Sequence, residues 1–267
     1  KKNTFYKEIG QLLYIENIDV FIVAELEESE QVHLLSVINQ QCNDSFILVK
    51  TLFWKKVILF AKKTISINSF DESGKRIGAF KIFSPLLKED ILLFPFHYFD
   101  KRNFEKEEQN ERIIKIKQFI EKVEERNNCK MYSIVCGDFN LDPFEIPMIK
   151  AGGLHAVMDQ KIAQKGSRVV DGDSYPFFYN PMWGFYGDNG KGGTISGTYY
   201  YSQSQTIEYF WHLLDQVIIR PSLIEYFDDE QLRIITEVGN ISLLKGDGTI
   251  NDKDYSDHLP LKFCVNI

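Results

Sequence analysis

Apolar residues recur at helical spacing as the chain opens: Phe5, Ile9, Leu12 and Leu13, with Asn3 or Thr4 placed to cap the helix. Asp19 then leads into the continuous apolar run Val20-Phe21-Ile22-Val23-Ala24, a pattern that suits a strand buried on both faces. A second helix is predicted around Glu30 to Asn39. From Ser45 to His97 the chain reads as consecutive strands: Phe46 to Val49, Val57 to Phe60, Ile77 to Phe83 and Ile91 to His97, with a turn at Asp71 to Gly74. Phe104 to Asn128 is the longest predicted helix, with Ile113, Ile116, Ile120 and Val123 as its apolar stripe and a solvated face of Lys and Glu. Met131 to Cys136 is a further strand, and Asp142-Pro143 reads as an N-cap followed by proline at the first helical position. Gln164 to Trp211, crowded with Gly, Ser, Tyr and Asn, is predicted to be a long irregular loop. Strands resume at Leu214 to Ile219, Leu232 to Val238 and Leu259 to Val265. No linker divides the series, so residues 1–267 are read as one domain of layered α/β structure.

Composition narrows the class. The 267 residues are 44% hydrophobic and 26% charged, which excludes a disordered or fibrous chain. The net charge of -7 argues against a basic coat protein for nucleic acid, but an enzyme can steer DNA with a local patch and bound cations. Cys42, Cys129, Cys136 and Cys264 form no C-x-x-C pair, so neither a disulfide framework nor a zinc site is expected. Reduced thiols place the expected compartment in the cytoplasm. The longest apolar stretch, around Ile91 to Phe96, is far too short to span a bilayer, and no signal peptide is read.

The segment Cys136-Gly137-Asp138-Phe139-Asn140 carries the sharpest chemistry. In extended chain, residues i and i+2 face the same way, so Asp138 and Asn140 share one side and Phe139 takes the other. A carboxylate there can orient and deprotonate water, and the carboxamide can bind a phosphate oxygen without adding charge. The same residues read equally well as a turn. Four further candidates lie elsewhere. Ser256-Asp257-His258 sets a carboxylate beside an imidazole. Asp215 opens an apolar strand, where burying it unpaired would cost several kcal/mol. Glu25 follows a buried strand and His97 closes one; His97 alone reads first as a satisfied core histidine.

Taken in order along the chain, strand-Glu25, strand-His97, Gly137-Asp138-Phe139-Asn140, strand-Asp215 and Ser256-Asp257-His258 with Pro260 resemble the endonuclease/exonuclease/phosphatase superfamily, the fold of pancreatic deoxyribonuclease. The resemblance spans residues 19 to 265. It implies a DNase I-like four-layer α/β sandwich of two packed mixed β-sheets flanked by helices. It also implies roles. Glu25 would be the principal ligand of a divalent metal and Asp257 a second ligand or the holder of His258. His97 would be a proton relay, Asp138 the base or water-positioner, and Asn140 a binder of the scissile phosphate. Asp215 would pair with the relay or orient an active-site histidine, and His258 would contact the phosphate and stabilise the transition state. Oxygen ligands favour Mg²⁺ or Mn²⁺ over zinc.

The superfamily pattern opens with a strand ending in an Asn that assists the metal. No such strand precedes the first helix, and the numbering begins at Lys1 rather than Met, so a few residues are expected before it; the alternative is a degenerate metal site. Ala24 stands where the pattern has Gln, and Glu27 and Glu28 are neighbouring candidates for the acid. The function implied is metal-dependent phosphodiester hydrolysis with nucleic acid as substrate. The alternatives are a phosphatase acting on a phosphoinositide, a nucleotide or a sphingolipid headgroup, and an inactive binding module. Tyr179 to Tyr186 and Thr198 to Tyr201 read either as a substrate-stacking lip or as a loop packing its own aromatics, with Trp211 and His212 near enough in sequence to touch substrate. His33 and His155 read as ordinary structural histidines.

Overall fold

The computed structural model describes residues 2–51, 56–71, 74, 76–99, 106–127, 131–193, 195–203 and 207–267. The turn expected at 71–74 and both ends of the helix expected over 104–128 fall partly outside these residues, and Cys129 wholly so. Three helices carry the outer layers: α1 (Lys2–Ile15), α2 (Glu28–Gln41) and α3 (Lys106–Arg126). Two single turns, α4 (Ile146–Ile149) and α5 (Gln160–Ala163), lie between strands. Because α1 already runs through Asn3 and Thr4, neither residue is its cap. Among the described residues no helix is long and apolar enough to cross a membrane.

The early strands are β1 (Val20–Ala24), β2 (Phe46–Leu48), β3 (Val57–Lys62), β4 (Ile67–Asp71), β5 (Ala79–Ser84), β6 (Glu89–His97) and β7 (Ser133–Asp138). Later come β8 (Ala156–Val157), β9 (Ser167–Val170), β10 (Asp173–Pro176), β11 (Phe178–Tyr179), β12 (Tyr199–Tyr200), β13 (Trp211–His212) and β14 (Asp215–Ile219). The last are β15 (Phe227–Ile234), β16 (Glu237–Val238), β17 (Ile241–Ser242) and β18 (Leu261–Val265). Seven form one sheet in the order β4-β5-β6-β7-β14-β11-β8. It is mixed: β6 and β7 run parallel across the α3 crossover, whereas β14 returns antiparallel to β7.

Burial explains the layers. One face of this sheet, with Leu92, Phe94, Phe96, Val135 and Ile218, packs on the Ile113, Ile116, Ile120 and Val123 stripe of α3. The opposite face, with Phe80, Ile91, Leu93, Ile134 and Val217, packs on Val57, Leu59 and Ala61 of β3 and on Phe227 and Leu232 of β15. The outer side of β2 and β3 is covered by α1 and α2 through Tyr6, Ile9, Leu13, Leu34 and Ile38. Helices, sheet, sheet and helix make the four-layer α/β sandwich that the sequence predicts.

The second sheet layer departs from the expected single mixed sheet. It consists of antiparallel β1-β3-β2 and a separate antiparallel pair, β15-β18. Among the described residues β1 bonds only to β3 and β18 only to β15, all ten of their residues are half-buried, and both strands line one cavity. Gln164–Trp211 is also more ordered than expected. It holds the β9-β10 hairpin, a 3₁₀ turn at Pro181–Phe185 and β11 of the main sheet. A two-residue strand leaves no readable alternation, which is why the loop composition prevailed. Asp142-Pro143 opens no helix: α4 starts at Ile146 with Glu145 in the capping position, and Asp142 is buried for another purpose described below.

α3 is fastened to the sheet by a buried charge pair. Arg220 donates to Glu124 through Nε and Nη2, both at 2.8 Å, and to the Phe177 carbonyl at 3.1 Å. Its guanidinium lies 3.9 Å over the Phe178 ring. The bidentate geometry and the extra bonds offset the desolvation of two buried charges.

Candidate active site

The register of three neighbouring strands creates the site. His97 at the end of β6 pairs with Asp138 at the end of β7, and Asp138 pairs with Asp215 at the start of β14. Imidazole, carboxylate and carboxylate therefore stand in one row across the sheet. Like charges directly opposite one another are destabilising unless something lies between them. Here His258 supplies the counter-charge: its Nδ1 is 2.7 Å from Asp215 Oδ2.

Gly137 makes the row possible. Its φ is +135°, and a Cβ there would lie 2.1 Å from the Phe96 carbonyl oxygen. Only glycine lets β7 run this close to β6 at that point. Beyond it Phe139 turns inward, fully buried with its ring 4.8 Å from Phe96, while Asp138 and Asn140 line the cleft. The backbone of Asn140 is left-handed at φ 48°, and its amide N–H donates to Asp138 Oδ1 at 2.8 Å. Its Nδ2 donates to Asp138 Oδ2 at 2.9 Å and to the Tyr98 carbonyl at 3.3 Å. In this structure, then, Asn140 orients Asp138, with both of its amide protons engaged.

Electrostatics follow from the crowding. Burial, and then the facing Asp215, push Asp138 up to about 7, against the pull of His258 and the Asn140 N–H. Burial would lower His258, but Asp215, Asp138 and Asp257 outweigh it and raise the imidazole to about 10. His97 moves the other way: burial lowers it, with Arg76 and Lys56 adding to that and Glu25 opposing. Its Nε2 lies 3.7 Å from Glu25 Oε1 and 3.6 Å from Asp138 Oδ2. Its buried Nδ1 has no hydrogen-bond partner among the described residues.

Glu25 follows β1 in a left-handed conformation, φ 60°, with its side chain 77% exposed in the cleft. Asp257 is exposed on the same cleft. The residue that hydrogen-bonds His258 is Asp215 rather than the adjacent Asp257, which acts on the imidazole through its charge alone. Asp138, Asp215 and His258 each offer a ligand atom within 4.8 Å of the others. With its imidazole raised to about 10, His258 carries a proton on both nitrogens at neutral pH and offers no lone pair, so the donors in the cleft are the carboxylate oxygens of Glu25, Asp138, Asp215 and Asp257. Such a set fits a hard cation.

A second polar cluster, not foreseen from the sequence, borders the row. Asp142 is 2% exposed; its Oδ2 lies 2.8 Å from His212 Nδ1, and its Oδ1 accepts from the Leu213 N–H at 2.9 Å and the Tyr186 hydroxyl at 3.2 Å. His212 Nε2 faces Glu208 Oε1 at 3.2 Å. Both ring nitrogens thus face carboxylates. The one signal in the sequence was His212, read as near the substrate; Asp142 read as a helix cap, and the two partners are 70 residues apart.

Comparison with solved structures settles the architecture. A protein described as endonuclease/exonuclease/phosphatase family from Leptotrichia buccalis superposes with a TM-score of 0.57 at 15% identity, covering 99% of this chain and 94% of that one. The fold is that of the endonuclease/exonuclease/phosphatase proteins. A mannosyl-6-phosphatase from Bacteroides thetaiotaomicron superposes with a TM-score of 0.56 at 15% identity, covering 98% of this chain and 90% of that one. The 3' phosphatase NExo from Neisseria, bound to a product DNA hairpin, gives 0.56 at 9% identity over 99% and 95%. No protein-family model and no curated protein sequence matches the chain. At these identities the likeness to endonuclease/exonuclease/phosphatase structures is one of fold.

Proposed function

We propose that this chain is a divalent-metal-dependent phosphodiester hydrolase, and that its substrate is nucleic acid. The observation that carries the reading is the row His97–Asp138–Asp215 with His258 docked against it. Phosphoryl transfer needs a water in line, neutralised charge on the phosphoryl oxygens and help for the leaving oxygen. Asp138, raised to about 7 and oriented by Asn140, accepts the proton of the attacking water. His258, kept protonated by Asp215, donates to the phosphoryl oxygens as their charge grows. His97 faces both Glu25 and Asp138 and can pass a proton between the cleft and Asp138. Glu25, with Asp257 beside the same cleft, would hold Mg²⁺ or Mn²⁺, which supplies Lewis-acid neutralisation of phosphate charge.

The test is hydrolysis in Mg²⁺ and in EDTA of plasmid DNA, single-stranded DNA, RNA and inositol phosphates. The reading expects nucleic-acid cleavage that EDTA abolishes and that falls about 10²–10⁴-fold in Asp138→Asn, since that substitution keeps the shape but removes the base. The mannosyl-6-phosphatase neighbour has the same fold, so turnover of the inositol phosphates alone would move the assignment to a phosphatase. Undiminished kcat in Asp138→Asn would remove Asp138 from the chemistry.

A further inference from the structure

The cavity that holds the catalytic row, about 1770 Å³ in all, has one wall unlike the rest. Tyr199 lies with its ring 4.9 Å from the His258 imidazole, and Tyr201 stacks beside Tyr199 at 6.4 Å with 19° between the planes. Phe144 and Tyr209 meet at 5.3 Å and line the same cavity. These rings are not simply packing one another away: Tyr209 is 60% exposed, and its neighbours Ile207 and Phe210 are 74% and 49% exposed. Exposed apolar surface beside a polar cleft marks a place where something apolar and flat is received.

The wall is also fixed to the catalytic strands. Thr198, fully buried, accepts the Asp215 N–H on its hydroxyl at 3.0 Å and the Leu259 N–H on its carbonyl at 2.8 Å. Its own N–H donates to the His212 carbonyl at 2.9 Å, and His212 is held between Asp142 and Glu208. Gly197 passes so close to His212 that a Cβ would lie 2.6 Å from its carbonyl oxygen. A wall preorganised in this way loses little freedom when a ligand arrives.

We propose that Tyr199, Tyr201, Tyr209 and Phe144 form a stacking wall for the nucleobase next to the scissile phosphate. The deduction rests on the phosphodiesterase reading for the position of the phosphate at His258. From there the next surface along the cleft is ring faces. His212 already meets carboxylates at both nitrogens. A sugar headgroup would need a dense set of donors and acceptors, whereas a base needs a π-face, and every base has one.

The experiment uses the whole chain carrying Asp138→Asn to suppress turnover, in Mg²⁺. A single-stranded DNA pentanucleotide is made with 2-aminopurine at each position in turn, and a matched set with an abasic residue there instead. Quenching of 2-aminopurine at one or two positions, with affinity about 5- to 150-fold above the abasic partner, is the expected result, since that is the range carried by stacking one base. Tyr201→Ala and Tyr209→Ala should bring that ratio down towards one, and Tyr201→Phe should restore it, which a merely misfolded variant would not allow. Equal affinity for the base and abasic sets at every position, or quenching that survives both alanine variants, would overturn the wall. Failure of the hydrolysis assay alongside intact, tyrosine-dependent quenching would instead overturn the proposed reaction.

Discussion

His258 keeps its proton because of what it faces, and that makes it directly observable. With the imidazole raised to about 10 from an ordinary 6.5, its NMR titration in metal-free protein should show a midpoint near 10. In Asp215→Asn the hydrogen-bonded carboxylate is gone while Asp138, Asp257 and the burial remain, so the midpoint should fall from about 10 towards the ordinary range. The same shift acts on stability. A group whose folded pKa exceeds its unfolded one binds its proton more tightly when folded, so its contribution is complete below pH 6.5 and is lost as pH rises through about 10. Urea midpoints measured across that window should fall more steeply for the wild type than for His258→Gln. An imidazole that titrates near 6.5 in the wild type would contradict both expectations.

At the scale of elements, strand register does the assembling. Gly137 is where a substitution would show it: Gly137→Ala puts a Cβ against the Phe96 carbonyl and forces a left-handed φ on alanine. The expected loss is about 3 kcal/mol or more in urea unfolding, combining backbone strain with a clash that the sheet cannot relax. What the sequence made legible was this same geometry. The period of two in a strand sends Asp138 and Asn140 to the cleft and Phe139 to the core, and the apolar runs ending in Glu25 and His97 or opening at Asp215 bring their polar termini to one end of the sandwich. What it hid were pairings with no local period. Asp142 resembles a helix cap because Pro143 follows it, and only the folded chain reveals His212, Leu213 and Tyr186 around its carboxylate. The split of the second sheet layer and the two-residue β11 were hidden for a related reason: both are facts of pairing between segments, not of any one segment.

The molecule as a whole carries a net charge of -7 and gathers Glu25, Asp138, Asp215 and Asp257 along one cleft. A cation that binds the folded state and not the unfolded one should therefore stabilise it by mass action, about 2.7 kcal/mol at one hundred times its Kd. For a domain of this size that is a rise of roughly 5–10 °C in Tm. Thermal unfolding with Mn²⁺ should show the rise, EDTA should reverse it, and Glu25→Gln should largely lack it. Glu25 also has a consequence for how such a chain evolves. Its left-handed φ of 60° suits glycine better than glutamate, and its exposed side chain buries little. Glu25→Gly should thus be more stable than the wild type by about 1 kcal/mol, read as a higher urea midpoint in metal-free protein, while losing turnover. Selection for robustness alone would drift towards glycine at this position, so a glutamate kept there over many generations would be the trace of selection for catalysis.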